Sequence, residues 1–492
     1  MPGLSYGLNV GLTGLQSAQS ALNVIGHNIA NVNTPGYSRQ RAGLTANPNQ
    51  LFGGVYFGAG TTLSSVQSIR DRYLDLQILQ TISQDSGTND RYQTVHGISN
   101  IFEATGDASL GSTVQQFFQG FQDLAARPED AALRTNVIGQ AQKLINGMKE
   151  RYQLLADQSR QADSALSTTA SEVNGLLSQI AALNTRIVTE SATSTDNDAR
   201  DQRKALTDKL AGLIGITSFE ASDGSLTVLL DSGIAPLVTG GSIFKLSTTP
   251  DPLNNNYAKL QLDLGGAFLD VTKEISGGTI GSKLDLRDKI LSGYMRQLDQ
   301  IAAGIQSTVN LQHRTGFALN GVTSGLDFFQ TGVANGANGL PATITAASYY
   351  KGMVNSLSVN SAIAGNPSLI AAGGAAGSPG DNANARALAN LQTATLTVDT
   401  NGDGVADSGP FSTVVGSLIN SVGVEVNTLQ SSSTTQDNIL AALQTQRDRV
   451  SGVDLDEEAS QLMTFQRAYQ ASARFLSVID QLTDQLVNQF GR

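Results

Sequence analysis

Residues 3–41 read GLSYGLNVGLTGLQSAQSALNVIGHNIANVNTPGYSRQR, and this stretch decides the fold of the chain. Two interleaved sets of residues repeat in it every seven positions: Leu8, Leu15, Leu22 and Ile29 form one set, and Gly11, Ala18, Ile25 and Val32 form the other. A spacing of three and four residues marks one face of a helix, and the seven-residue period favours packing against another long helix. Gly11 and Ala18 would let the backbone of that partner come close.

The other side of this helix carries neutral polar side chains. Gln16, Gln19, Asn23 and His27 lie off the apolar stripe, and residues 1–32 contain no Asp, Glu, Lys or Arg. A helix with an uncharged polar back is poorly solvated on its own, so we expect the back to contact protein as well.

The helix is predicted to end at residues 31–36, which read NVNTPG. Pro35 lacks an amide hydrogen and disfavours helical geometry at Thr34, while Gly36 permits a turn. Residues 37–41 are then predicted to leave as an extended arm.

The C-terminal end carries a matching helix, and residues 452–490 read GVDLDEEASQLMTFQRAYQASARFLSVIDQLTDQLVNQF. Asp454 and Glu457 are spaced like a capping pair at its start. Its apolar stripe keeps the spacing of three and four residues, interrupted by Ser472 and Thr483: Leu462, Phe465, Tyr469, Leu476, Ile479 and Leu486. Two striped helices at opposite ends of a chain most simply pair with each other, so we expect a hairpin-shaped molecule with its termini together.

Three segments resemble bacterial flagellar axial proteins. They are NIANVNTPGYSRQ at 28–40, VNLQHRTGFALNGVTSGLDFF at 309–329 and DLDEEASQLMTFQRAYQASAR at 454–474. Hook and rod proteins share the NIAN core, whereas the continuation PGYSRQ and the C-terminal segment resemble the proteins that join hook to filament. Two other interpretations stay open: another axial subunit of hook or rod, or a secreted adhesin or enzyme whose activity lies in the β-rich regions.

The resemblance implies a structural subunit without an active site or cofactor. Its terminal helices would pack side by side around an axial export channel, and its copies would assemble into a ring. The hook protein, a second hook–filament junction protein and a cytoplasmic export chaperone are the implied partners. The implied location is extracellular, reached through the flagellum's own export channel without a cleaved signal peptide.

Composition agrees with such a protein. At 492 residues the chain is too long for one compact core, so roughly three or four domains are expected. The net charge is −11 and basic residues are scattered, which argues against nucleic-acid binding. No segment approaches the roughly 20 apolar residues that a membrane-spanning helix needs. Cysteine is absent, and residues 1–32 lack the basic start and apolar run of a secretory signal peptide.

Between the two ends, the sequence predicts an α+β, multidomain fold. Helical stripes cover residues 131–155 and 166–187, whereas 216–278 alternate with period two around an Asp223-Gly224 turn. The predicted division is: 1–65 and 450–492 as paired terminal axial segments, 66–215, 279–329 and 383–449 as an elongated helical bundle, 216–278 as an inserted β domain, and 330–382 as a second small β or loop excursion. Because 216–278 interrupt a helical pattern, we expect them to be dispensable for the joint.

No pattern in the chain predicts catalysis or metal binding. Residues 399–404, DTNGDG, open like a calcium loop, but Pro410 occupies the twelfth position, where a glutamate should bind the ion. A polar turn is therefore favoured over a weak calcium site. His27, His96 and His313 are far apart in the chain, and neither GxSxG nor HExxH occurs.

Overall fold

A computed structural model describes residues 2–52, 54–102, 109–190, 196–330, 351–398 and 407–490. Its helices are α1 (Pro2–Ala30), α2 (Arg72–Phe102), α3 (Leu110–Ala126), α4 (Ala131–Glu190), α5 (Asn197–Leu213), α6 (Gly278–Asp285), α7 (Leu291–Thr315), α8 (Met353–Ser356), α9 (Ser361–Gly365), α10 (Ala383–Asn390), α11 (Phe411–Ser451) and α12 (Leu455–Phe490). Its strands are β1 (Gln40–Ala46), β2 (Gln50–Phe52), β3 (Val55–Phe57), β4 (Thr61–Ser68), β5 (Ile216–Glu220), β6 (Leu226–Leu230), β7 (Pro236–Thr239), β8 (Ser242–Ile243), β9 (Leu246–Pro250), β10 (Ala258–Asp263), β11 (Phe268–Asp270), β12 (Phe329–Gln330), β13 (Ser358–Val359), β14 (Leu396–Val398) and β15 (Asp407–Gly409). The α+β, multidomain fold class is confirmed.

Helix α4 is the longest element and joins the two cores of the protein. Its 60 residues span about 90 Å at the usual rise per residue. The sequence predicts two separate helices here, but the intervening residues 156–165 contain neither Pro nor Gly. Ser159 and Ala162 continue the buried stripe between Leu155 and Leu166, so the helix does not break. The spacing of large apolar residues does not predict this continuity, because the buried residues here are small.

The first core surrounds the N-terminal half of α4. Helices α2, α3, α7, α10 and α11 pack there around a cluster of aromatic rings: Phe117, Phe118, Phe121, Phe328, Phe329 and Phe411. The spacing patterns of the sequence do not predict α3, although it contributes three of these rings. The described part of the second excursion, 351–382, also packs into this core through short helices α8 and α9, and β13 pairs with β12.

The second core lies on the C-terminal half of α4. It is covered by an antiparallel four-stranded sheet, β5-β6-β7-β8, and a three-stranded sheet, β11-β10-β9, together with α5 and α6. The alternating pattern of 216–278 is therefore β structure, and Gly224 takes the positive φ of 85° that the predicted turn requires. Val228, Leu230 and Leu260 share one apolar core with Val173 and Leu177 of α4. This β region is thus packed on the long helix rather than independent of it.

Candidate assembly site

The two terminal helices pack against each other as an antiparallel pair. A Cβ added to Gly11 would lie 2.8 Å from Cγ of Leu476, and one added to Gly7 would lie 3.1 Å from Cδ1 of Ile479. Residue numbers therefore increase along α1 as they decrease along α12, which makes the two helices antiparallel. These glycines hold the two backbones closer than any larger residue would allow, as expected from Gly11 in the sequence.

The face of α1 that meets α12 consists mainly of small residues. It comprises Gly7, Gly11, Gly14, Ala18, Ala21, Ile25 and Asn28, at alternating spacings of four and three. We call this set the inner stripe. Of the eight residues that the sequence places on the apolar stripe, Gly11, Ala18 and Ile25 belong to the inner stripe and are buried.

The other predicted packing residues are half-buried. Leu8, Leu15, Leu22 and Ile29 each follow an inner-stripe residue and lie beside the seam rather than at its centre. On α12, all six predicted residues are half-buried: Leu462, Phe465, Tyr469, Leu476, Ile479 and Leu486. The pair of helices thus leaves much of its apolar surface uncovered within one chain.

The inner stripe ends in a buried polar network around Asn28. Its amide nitrogen donates to the carbonyl oxygen of Gln40 at 2.8 Å and to Oε2 of Glu458 at 3.1 Å. Its amide oxygen accepts from the backbone nitrogen of Gln40 at 2.9 Å and from the hydroxyl of Tyr37 at 2.8 Å. All four hydrogen-bonding positions of the amide are used. The network therefore holds α1, the arm at residues 37–40 and α12 in one arrangement.

Tyr37 links this network to α5. Its hydroxyl also lies 3.0 Å from Nδ1 of His27, whose Nε2 is 3.6 Å from Oδ2 of Asp198. Burial raises the pKa of Tyr37 above its usual value, and nearby carboxylates, Asp198 foremost, add to the effect. The hydroxyl therefore stays protonated and remains a donor to Asn28.

The extended arm after the Pro-Gly turn fastens α1 to the rest of the molecule. The backbone nitrogen and hydroxyl of Ser38 donate to the carboxylate of Asp201 at 2.8 and 2.9 Å. Burial raises the pKa of Asp201, opposed by these two hydrogen bonds and by Arg70. The backbone nitrogen of Arg39 donates to the carbonyl of Ser451 at 2.8 Å, and its guanidinium pairs with Glu457. The arm thus connects α5, α11 and α12.

Of the predicted capping pair at the start of α12, only Asp454 acts as a cap. The carboxylate of Asp454 accepts from the backbone nitrogens of Asp456 at 2.9 Å and Glu457 at 3.3 Å, which is N-capping. The side chain of Glu457 does not reach back to close a capping box. It accepts instead from Arg39 and from Gln461 one turn later.

The sequence patterns do not single out Glu458, which joins α12 to α1, or Asp198 and Asp201, which join α1 and its arm to α5. Glu458 could have been found, because it extends the heptad stripe of α12 one step before Leu462. Asp198 and Asp201 carry no such signal, since acidic residues on a short helix are ordinarily a solvated face.

The described residues contain no group of three or more His, Cys, Asp or Glu that could hold a metal ion. The calcium-like segment at 399–404 lies outside the described residues. His313 is buried, with Nδ1 2.8 Å from the carbonyl of Leu326, and its Nε2 accepts from the backbone nitrogen of Ala371 at 3.0 Å. Burial lowers its pKa to about 4. None of the described helices is both long enough and apolar enough to cross a membrane.

Three family models match the chain: "Flagellar hook-associated protein FlgK helical domain" at residues 95–329, "Flagellar basal body rod FlgEFG protein C-terminal" at 444–489 and "Flagella basal body rod protein" at 8–37. Flagellar hook-associated protein 1 of Escherichia coli (strain K12) is 29% identical over 98% of this chain and 99% of its own length. The Bacillus subtilis (strain 168) protein of that name is 26% identical over 99% and 98%. The flagellar hook junction protein FlgK from Burkholderia pseudomallei has a similar fold, with 17% identity, a TM-score of 0.65 and coverage of 76% of this chain and all of that one. The resemblance to the hook-associated proteins of the flagellum is therefore confirmed along the whole chain.

Proposed function

We propose that this chain is a structural subunit of the bacterial flagellum that forms the hook–filament junction, assembling through α1 and α12 around the axial export channel. The single observation that carries the proposal is the match to hook-associated protein 1 along 98% of the chain, both terminal helices included. The rod-protein models cover only the two ends, whereas the model of the hook-associated helical domain covers 95–329. A hook or rod subunit is therefore the less favoured alternative.

The terminal helix pair supports this function physically. Phe475, Val478 and Leu482 of α12 and Leu12 of α1 are each between 43% and 52% exposed in the single chain. Burying apolar surface contributes about 25 cal/mol per Å², so covering these side chains with neighbouring copies favours assembly. The absence of charged residues from 1–32 removes the penalty of burying charges between copies.

The mechanism is packing, and the chain carries out no chemical reaction. Copies of the chain form a ring that contacts the hook protein on one side and the second hook–filament junction protein on the other. A cytoplasmic chaperone holds the chain before export, which proceeds through the flagellar channel without a cleaved signal peptide. The finished subunit lies outside the cell.

Each predicted segment then has a place in the assembly. Residues 1–65 and 450–492 form the axial part, in which the predicted packing residues of α1 and α12 contact neighbouring copies. The helical bundle of 66–215, 279–329 and 383–449 surrounds it and holds the segment 351–382 in its core, and the β region of 216–278 lies on the outer side.

Cells that lack this chain test the proposal. They should build hooks but release filament subunits into the medium, and the wild-type chain should restore attached filaments. Leu22→Asp should fail to restore them, because a carboxylate on a covered apolar face costs several kcal/mol. Leu22→Met, which conserves volume, should restore them. Attached filaments in cells without the chain would refute the proposal.

A further inference from the structure

Helix α1 has three faces, and its own chain covers two of them. The inner stripe meets α12. The residues that precede it by one position meet the hairpin formed by β1 and β4, which runs back along the helix. There the hydroxyl of Ser17 donates to the carbonyl of Thr61 at 2.9 Å, and the hydroxyl of Tyr6 donates to the carbonyl of Gly58.

The third face follows the inner stripe by one position and carries an apolar stripe of its own. It contains Leu8, Leu12, Leu15, Leu22 and Ile29, again at helical spacing, and we call it the leucine stripe. Leu12 is 45% exposed and the others are half-buried. A Cβ added to Gly26 on this stripe would have no described atom within 4 Å outside its own helix.

Helix α12 has a corresponding second stripe. It contains Ala468, Ala471, Phe475, Val478 and Leu482, and we call it the outer stripe. Each member precedes by one position a residue of the stripe that meets α1, and all five side chains are exposed. The positions that follow that stripe on the other flank are mostly polar, among them Gln466, Gln470, Asp480 and Asp484.

The leucine stripe and the outer stripe lie on opposite sides of the helix pair. One residue turns a helix by about 100°. When two antiparallel helices face each other, the residues one position after the contacting residues lie on the same side of the pair in both helices. The leucine stripe is one step forward on α1 and the outer stripe one step back on α12, so they point in opposite directions.

We infer that the leucine stripe of one copy packs against the outer stripe of the next copy, so that the subunits associate head to tail. This inference rests on the proposed function and adds the two faces that meet. Both stripes keep the spacing of three and four residues that fits a helix partner. Both continue the α1–α12 seam, and the leucine stripe carries no charge that the neighbour would have to compensate.

The opposite orientation of the stripes selects the symmetry of the assembly. A two-fold dimer would bring one stripe against the same stripe of the other copy and would leave the second stripe of both copies uncovered. A head-to-tail contact covers both stripes of every copy and repeats until the ring closes. A second copy of this chain is therefore the partner that satisfies both faces at once.

Cysteine cross-linking tests this contact, since the natural chain has no cysteine. A full-length chain carrying Leu12→Cys and Val478→Cys is expressed in cells that lack the wild-type chain, and detached flagella are oxidised. Non-reducing gels should show a ladder that extends beyond the dimer. The matched control carries Leu12→Cys with Asp480→Cys, which places the second cysteine on the opposite flank of α12, and should show no ladder. A chain with Ala at positions 12 and 478 checks that both sites tolerate substitution.

The outcomes separate the inference from the proposed function. Equal ladders from both double variants, or dimers formed by Leu12→Cys alone, would overturn the head-to-tail contact while leaving the junction function intact. No ladder from either variant in flagella that contain them would also overturn it. Absence of the wild-type chain from detached flagella would overturn the proposed function itself.

Discussion

Asn28 and Glu458 are 430 positions apart in the chain and form a buried hydrogen bond of 3.1 Å between α1 and α12. Both side chains are almost fully buried, at the end of a seam that is otherwise apolar or small. A polar pair at one level of a helix seam fixes the register, because any slip of one helix along the other would leave the Glu458 carboxylate and one amide hydrogen of Asn28 unpaired. This pair therefore sets how the two ends of the chain align.

Removing one partner of this pair should loosen the start of α12. Asn28→Ala takes away the amide that donates to the buried Glu458 carboxylate, and an unsatisfied buried charged group costs about 3 kcal/mol. Hydrogen exchange of the amides in 455–470 should become faster in this variant. The double variant Asn28→Leu with Glu458→Leu removes the buried carboxylate as well and should recover part of the protection, since the Gln40 backbone and the Tyr37 hydroxyl still lose their partner. If Asn28→Ala exchanges like the wild type, the pair does not hold the seam.

Two glycines on α1 should respond oppositely to the same substitution. Gly→Ala inside a helix favours the helix by about 1 kcal/mol. At Gly26 the added methyl meets no described atom, so Gly26→Ala should stabilise α1. At Gly11 it would lie 2.8 Å from Leu476, and overpacking of this kind costs about 1–3 kcal/mol. Hydrogen exchange of α1 in the two variants measures the difference, and equal effects would contradict the close packing at Gly11.

Acid should weaken the first core through His313. Its folded pKa of about 4 lies below the ordinary value of 6.5, so the native state favours the neutral ring. The contribution of His313 to the free energy of unfolding is therefore complete above pH 6.5. It is lost as the pH falls from 6.5 through 4, by about 3 kcal/mol in total. The free energy of unfolding should be measured by denaturant titration in that interval for the wild type and for His313→Gln.

The comparison isolates this residue from other titrating groups. Burial raises the pKa of Asp299 to about 6, and its contribution changes with pH in the opposite sense. Asp299 is present in both chains, so the difference between the wild-type and His313→Gln curves reports His313. Parallel curves would show that the ring does not titrate as its surroundings require.

The β region of 216–278 should be necessary for a stable chain. Replacing it by a short Gly-Ser linker would expose buried side chains of α4, among them Val173 and Leu177. Each such side chain contributes about 1.5–3 kcal/mol when buried. We therefore expect low yield and a lowered unfolding temperature. Shortening only the exposed turn at 264–267 should leave the unfolding temperature unchanged, and a stable linker variant would show that α4 does not depend on these sheets.

This prediction reverses the expectation from the sequence that the β region is dispensable for the joint. That expectation follows from its position in the sequence, where it interrupts a helical pattern. The pattern alone cannot show that the apolar face of the second half of α4 packs against β6 and β10. These strands are far from the helix in the chain; the hydrogen bond between Asp163 and Ala258, for example, joins residues 95 positions apart. Packing between distant segments leaves no trace in local spacing.

Local patterns in the sequence predict the two terminal helices and the Pro-Gly turn that ends the first, and the matching stripes of the two helices predict that they pair. Local periodicity and the chemistry of Pro35 and Gly36 are sufficient for the helices and the turn, since these depend on neighbouring residues only. The sequence places Gly11, Ala18 and Ile25 on the same broad stripe as the leucines, and only the folded chain shows that the first set lies at the centre of the contact with α12. A leucine pattern favours Leu8, Leu15 and Leu22 as the seam, yet the closest approach occurs where side chains are smallest, because two backbones can come together only there. The role of Asp201 as an anchor for the arm also depends on tertiary structure, because folding brings Ser38 beside its carboxylate.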